Sequence, residues 1–240
     1  MRRVLVLWDV DYTLVDAGGV GRELYRIAFR EMFGREMPQP GSMAGRTDRA
    51  IAIEVLTLAG LPEPRRLVGA FQRSMAARAP GLAGLIRERG RVLPGADRAV
   101  SALACLGDGP AGVAVIQSLL TGNIRPLAEV KLGPLGLTAH LDLDAGAYGD
   151  AAEVRAELVL LARSKAARGY GSAFDGSATV LVGDTPLDVA AALAGGARAV
   201  GVATGEFTVA ELAASGAHAV LPDLADTDQV VAAILGPHQP

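Results

Sequence analysis

At 240 residues, half of them hydrophobic and a fifth charged, the chain is long enough for one large domain or for a core with a smaller insert. Its formal net charge of −3 excludes a general attraction to nucleic acid or to an anionic membrane, leaving only local positive charge for binding anions. Cys105 is the single cysteine, which rules out an internal disulfide and suits a reducing cytoplasm. Lying in the apolar stretch from Ala102 to Leu106, it reads as a small buried hydrophobe and not as a nucleophile. No segment approaches the roughly 18 apolar residues of a membrane helix. The apolar run behind Arg2-Arg3 is interrupted by Asp9 and Asp11, unlike an export signal.

The first element, Val4-Leu5-Val6-Leu7-Trp8, is a buried strand that runs into Asp9-Val10-Asp11-Tyr12-Thr13. Residues i and i+2 of a strand share a face, so Asp9 and Asp11 are expected together at its carboxyl end, where open α/β sheets bind ligands. Two adjacent acids repel each other and call for a metal, a shared proton or a catalytic duty. From residue 17 to residue 90 the pattern turns helical with no convincing buried strand: Leu24, Ile27, Ala28 and Met32, then Ile51, Val55, Leu56 and Leu58, then Leu67, Phe71 and Met75. Within it, Gly45-Arg46-Thr47-Asp48 opens a helix. Thr47 or Asp48 reads as its N-cap, with Arg46 a candidate to reach a ligand. Arg87, Arg89 and Arg91 read as a solvated face.

From Val92 onward short strands alternate with helices, the pattern of an open parallel sheet. A helix is expected from Asp97 to Leu106, broken by Gly107-Asp108-Gly109-Pro110, then a strand from Val113 that ends in Thr121-Gly122-Asn123. A helix from Ile124 to Leu135, with Pro126 in its first turn, carries Lys131 on the same face as Leu127 and Leu135. A strand at His140–Asp144 and a helix at Ala152–Arg168 follow, then a strand from Val180 that ends in Gly183-Asp184-Thr185-Pro186-Leu187-Asp188. Helix Leu187–Ala194, strands at Arg198–Ala203 and Ala217–Leu221, and helix Asp228–Leu235 close the chain. The carboxylates at Asp9, Asp11 and Asp184 are hard oxygen donors that suit Mg²⁺. The three histidines, at 140, 218 and 238, are scattered, so zinc is not expected.

Strands ending in Asp-x-Asp-x-Thr, Thr-Gly-Asn and Gly-Asp-Thr-x-x-Asp, in that order, resemble the haloacid dehalogenase-like superfamily, whose members are mostly phosphatases. The resemblance spans nearly the whole chain. It implies an α/β fold, a Rossmann-like parallel sheet core of residues 1–16 and 91–240 with an inserted all-helical cap of residues 17–90. It also implies a Mg²⁺-dependent phosphatase that hydrolyses a small-molecule phosphomonoester through an aspartyl-phosphate, similar to the phosphoglycolate phosphatase-like branch. Asp9 matches the family nucleophile and a metal ligand, and Asp11 the general acid/base, with its backbone carbonyl toward the metal. Asp184 matches the metal carboxylate and Asp188 a nearby ligand. Thr121 matches the hydroxyl that binds phosphoryl oxygens, with the Gly122 and Asn123 amides beside it.

An acid at Asp11 argues against dehalogenase chemistry, since a halide leaves without a proton. The family's Gly-Lys-Pro signature is missing. Lys131 and Arg155 are the candidates for its cation, with Lys131 preferred as catalytic and Arg155 expected to bind substrate. Lys165 reads as solvated. A phosphomutase resembling β-phosphoglucomutase, or a phosphometabolite-binding module without catalysis, are the alternatives.

Overall fold

The structure, a computed structural model, describes residues 2–106 and 112–236. Its centre is a six-stranded parallel sheet in the order β5-β4-β1-β6-β7-β8. The strands are β1 (Arg2–Trp8), β4 (Val113–Thr121), β5 (Ala147–Tyr148), β6 (Thr179–Gly183), β7 (Arg198–Val202) and β8 (Ala219–Leu221). A parallel strand covered on both faces must be apolar throughout, and Val4 through Trp8 are completely buried. The period of two then divides them. Val4, Val6 and Trp8 join Val180, Val182, Val200 and Val202 on one face. Leu5 and Leu7 join Leu181 and Ala199 on the other.

Helices α5 (Ala96–Cys105), α6 (Arg125–Leu132) and α10 (Thr227–Leu235) cover the first face, and α7 (Arg155–Tyr170), α8 (Pro186–Ala194) and α9 (Val209–Ala214) the second. Trp8 Nε1 donates to Gln117 Oε1 at 3.1 Å, and Gln117 Nε2 donates to Val100 O at 2.8 Å. The polar handles of a fully buried indole and amide thus satisfy each other, avoiding the ~1–3 kcal/mol cost of an orphaned group.

Between β1 and the rest of the sheet lies the all-helical insert: α1 (Val20–Phe33), α2 (Asp48–Leu58), α3 (Pro64–Arg78) and α4 (Ala83–Arg89). It has its own core, in which Phe71 meets Tyr25 and Phe29 edge to face at centroid distances of 5.7 and 6.2 Å. That core also takes in Ile124, Leu127 and Val130 of the sheet domain, so the insert is packed down on α6. The chain leaves and re-enters the sheet domain through β2 (Val15–Asp16) and β3 (Arg91–Val92), which pair antiparallel and are tied by Arg91 to Asp16 at 2.6 Å.

Three local expectations change. Residues 140–144 form turns and not a strand, because Asp142 Oδ1 accepts from the amides of Asp144 and Ala145 at 3.0 and 3.2 Å and bends the chain. The edge strand is the two-residue β5 that follows. Cys105 is exposed, because it lies two positions, or 200° of helix, beyond the buried Leu103. Lys165 is half-buried, donating to Gly146 O at 2.7 Å above the Tyr148 ring. The expected break at Gly107–Pro110, like His238, falls outside the described residues.

Candidate active site

The carboxyl ends of the three adjacent central strands β4, β1 and β6 converge on one cavity of about 610 Å³ between sheet and insert. β1 ends at Trp8, so Asp9 and Asp11 belong to the turn after the strand. Asp9 N still donates to Val182 O at 2.9 Å, and Tyr12 reverses the chain at φ 55°. This turn separates the two acids. Asp9 is buried and faces Asp184 and Asp188, whose carboxylate oxygens lie with its own within 4.8 Å of one another. The Asp11 carboxylate turns the other way, toward Asn123 and Lys131.

In the first group, Arg155 Nη2 donates to Asp9 Oδ1 at 2.6 Å and lies 2.5 Å from Asp188 Oδ1. Arg155 is the first residue of α7, and its Nη1 donates to Gly45 O of the insert at 3.2 Å. Asp188 is also part of a capping box on α8, its Oδ2 accepting from Thr185 N and Oγ1 at 3.1 and 2.7 Å. Thr13 Oγ1 donates to Asp184 Oδ1 at 3.4 Å. Gly205 leaves room for Asp184, since a Cβ there would lie 1.9 Å from Asp184 Oδ2.

Burial pushes the Asp9 carboxyl up to about 7, Arg155 pulling down while Asp188 and Asp11 push up. Burial, reinforced by Asp9 and Asp188, pushes Asp184 up to about 9. Burial also opposes the charge on Arg155, but Asp188 and Asp9 outweigh it and raise its pKa. Once all three carboxylates are ionised, the one guanidinium leaves about two negative charges to be offset, the charge of a divalent cation. Asp188 Oδ1, buried and close to Arg155, receives no aligned hydrogen bond. An all-carboxylate donor set fits a hard divalent ion.

In the second group, Lys131 Nζ donates to Asp11 Oδ1 and Oδ2 at 2.8 and 2.6 Å and to Asn123 Oδ1 at 2.7 Å. Asn123 Nδ2 donates to Asp11 Oδ2 and to Thr121 Oγ1, both at 2.8 Å, and Asn123 N donates to Thr121 Oγ1 at 3.2 Å. The preference for Lys131 as the cation beside Asp9 is therefore corrected. Lys131 extends from α6 to Asp11, and the basic partner of Asp9 among the described residues is Arg155. The start of α7, directly after the Gly149–Val154 turn, brings Arg155 under β1, whereas Lys131 comes in from the insert side. Thr121, Gly122 and Asn123 lie between the two groups and line the same cavity.

Asp48 and Arg46 acquire contacts that the sequence did not suggest. Thr47 is the N-cap of α2, accepting from Ala50 N at 3.2 Å, while Asp48 turns inward to Tyr25 and to the amide of Ile124. Arg46 is paired with Glu54 at 2.5 Å. An Asp at the first position of a helix looks like a cap in any sequence, and only the long-range partner distinguishes it.

Residues 156–227 match a family model described as HAD-hydrolase-like. No curated protein matches the chain in sequence. Among solved structures, a hydrolase from Pseudomonas syringae is 21% identical with a TM-score of 0.62, the alignment covering 98% of this chain and 100% of that one. A β-phosphoglucomutase candidate from Bacteroides vulgatus is 16% identical with a TM-score of 0.65, covering 98% and 91%. A "predicted phosphoglycolate phosphatase" from Haemophilus somnus 129pt is 16% identical with a TM-score of 0.61, covering 96% and 98%. The chain has the haloacid dehalogenase-like fold over nearly its full length: a Rossmann-like parallel sheet with an inserted helical cap. Its sequence is HAD-hydrolase-like across the segment that carries Asp184 and Asp188.

Proposed function

We propose that the chain is a Mg²⁺-dependent phosphatase acting on a small-molecule phosphomonoester, with residues 17–90 as its cap and 1–16 with 91–240 as its catalytic core. What carries this reading is the division of labour between the two acids of one turn, Asp9 buried and Asp11 partly exposed. Asp9 faces a cation and two further carboxylates, while Asp11 faces Lys131 and Asn123. The nearly full-length likeness to hydrolase and phosphatase structures supports it. Asp9, Asp184 and Asp188 would hold the ion, which when bound offsets phosphoryl charge and aligns oxygens for in-line transfer.

A carboxylate oxygen of Asp9 attacks phosphorus, the ester P–O bond breaks, and Asp11 delivers a proton to the departing oxygen. Arg155 holds Asp9 in place through its 2.6 Å hydrogen bond. Thr121, Gly122 and Asn123 line the cavity at the start of α6, where the hydroxyl and backbone amides would face the phosphoryl oxygens. Asp11 then takes a proton from water as that water attacks the aspartyl-phosphate. Phosphate leaves and Asp9 is restored. Lys131 and Asn123 keep Asp11 clear of the acid cluster throughout.

The single cysteine fits a cytoplasmic setting, and no helix among the described residues is long and apolar enough to cross a membrane. The test is turnover of p-nitrophenyl phosphate with Mg²⁺. Activity should disappear on chelation and in Asp9→Asn, and wild-type turnover surviving either treatment would sink the assignment.

A further inference from the structure

The cap is fastened to the core at the amino end of α2. Thr47 Oγ1 donates to Glu153 O at 3.0 Å, Asp48 N to Gly122 O at 2.6 Å, and Arg49 N to Gly149 O at 2.9 Å. A fourth bond runs the other way: Ile124 N donates to Asp48 Oδ2 at 2.7 Å. Asp48 therefore brackets the turn after β4, taking Gly122 O with its amide and Ile124 N with its carboxylate. Within that bracket lie Gly122 and Asn123, and Asn123 in turn holds Thr121 and Asp11.

The fit is tight. A Cβ on Gly122 would lie 2.0 Å from Arg46 O, and one on Gly149 would lie 1.7 Å from Gly122 O. Asp48 is buried, its other oxygen accepts from Tyr25 Oη at 2.8 Å, and no basic side chain among the described residues pairs with it. Burial pushes its carboxyl up to about 6, against the hydrogen bonds from Ile124 and Tyr25. A carboxylate buried among neutral donors is a costly way to join two packed surfaces that apolar contact already joins. Its worth lies in the amide it aligns.

We propose that Asp48 is a positioning residue supplied by the cap: its carboxylate fixes the Thr121–Ile124 turn, so that the phosphoryl group is bound tightly only with the cap seated. This rests on reading that turn as the phosphoryl site. The cap then does more than cover the cavity, because one of its side chains sets the shape of the anion pocket in the core.

The experiment measures KM and kcat for p-nitrophenyl phosphate, the inhibition constant of inorganic phosphate, and amide exchange at Ile124, in wild type, Asp48→Ala and Asp48→Asn. Asp48→Ala should raise KM and the phosphate constant together by about tenfold or more, the loss of one charge-assisted hydrogen bond, with a smaller effect on kcat. Ile124 exchange should accelerate. Asp48→Asn, whose carbonyl still accepts from Ile124 N, should restore most of both. Where Asp48→Ala does not fold, Tyr25→Phe, which releases the other carboxylate oxygen, should raise the same two constants several-fold. Faster Ile124 exchange with unchanged KM and phosphate constant would overturn the proposal, since Asp48 would then only fasten the cap. So would unchanged values in Tyr25→Phe where it is the usable variant. A wild-type protein that neither hydrolyses the ester nor binds phosphate overturns the phosphatase reading itself, whatever the variants do.

Discussion

Arg155 and Lys131 are both buried cations within one cavity, yet their partners assign them different work. Arg155 touches the Asp9 carboxylate, so with Asp9 as the proposed nucleophile its loss is expected to be felt whatever the leaving group. Arg155→Ala is expected to lower kcat/KM by roughly 10²–10³ on alkyl and nitrophenyl phosphates alike. Lys131 touches Asp11, the proposed general acid, whose proton would matter most to a poor leaving group. Lys131→Met should therefore cost an alkyl phosphate at least about tenfold more than nitrophenyl phosphate, a fraction of the 10²–10⁴ typical of general acid catalysis. Steady-state kinetics on both esters checks the pair. Equal losses for Lys131→Met would show that Lys131 contributes through charge alone. The sequence made both candidates visible, Lys131 as a cation on the apolar face of Leu127 and Leu135, and Arg155 as a cation at a helix start close to where the family's lysine falls. It did not reveal which acid each one meets, since that depends on where α7 begins, and the Gly149–Val154 turn carries no periodic signal that fixes it.

At the level of elements, the strands and the helix order were legible because buried parallel strands are continuous apolar runs and the helices between them keep a 3.6-residue period. The failures have local causes. His140–Asp144 alternates like a strand, but Asp142 uses its side chain to close a turn. Cys105 has apolar neighbours in sequence and none of their facing. The ends of β4, β1 and β6 declared the site because acids and small polar residues end those strands. The seam between cap and core at the amino end of α2 did not, because every hydrogen bond in it has at least one backbone partner. That seam predicts a glycine effect: Gly149→Ala places a Cβ 1.7 Å from Gly122 O and 2.8 Å from Asp48 N. The variant is expected to melt at least several degrees lower and to show faster proteolysis of the cap, with helix content by circular dichroism unchanged. A wild-type melting temperature would mean that the seam is not closed in solution.

For the whole molecule, the acid cluster should tie stability to pH and, on the proposed reading, to metal. Asp9 and Asp184 have folded-state values of about 7 and about 9, above the usual carboxylate value. Between the ordinary carboxylate range and these values the native state binds more protons than the unfolded chain, so stability falls as pH rises. In chelator, the melting temperature should decline as pH rises from about 5 to about 9. With Mg²⁺ at about a hundred times its dissociation constant, stability should rise by about 2.7 kcal/mol where the acids are ionised. The gain should shrink toward acid pH and be lost in Asp184→Asn. Scanning calorimetry with and without Mg²⁺ reads all three, and a metal effect that grows as pH falls would place the ion elsewhere.

The two short strands through which the chain enters and leaves the cap lie side by side, bound by Val15 against Val92 and by the Asp16–Arg91 pair. In topological terms the cap is a cassette on a two-stranded stem, open to exchange without rethreading the sheet. The cassette is not interchangeable at will, because Ile124, Leu127 and Val130 of the core are buried in its interior. Any replacement must present an apolar face to that stripe of α6 and an acceptor to the Ile124 amide. The inheritance of a new cap is thereby filtered by the helix that carries Lys131.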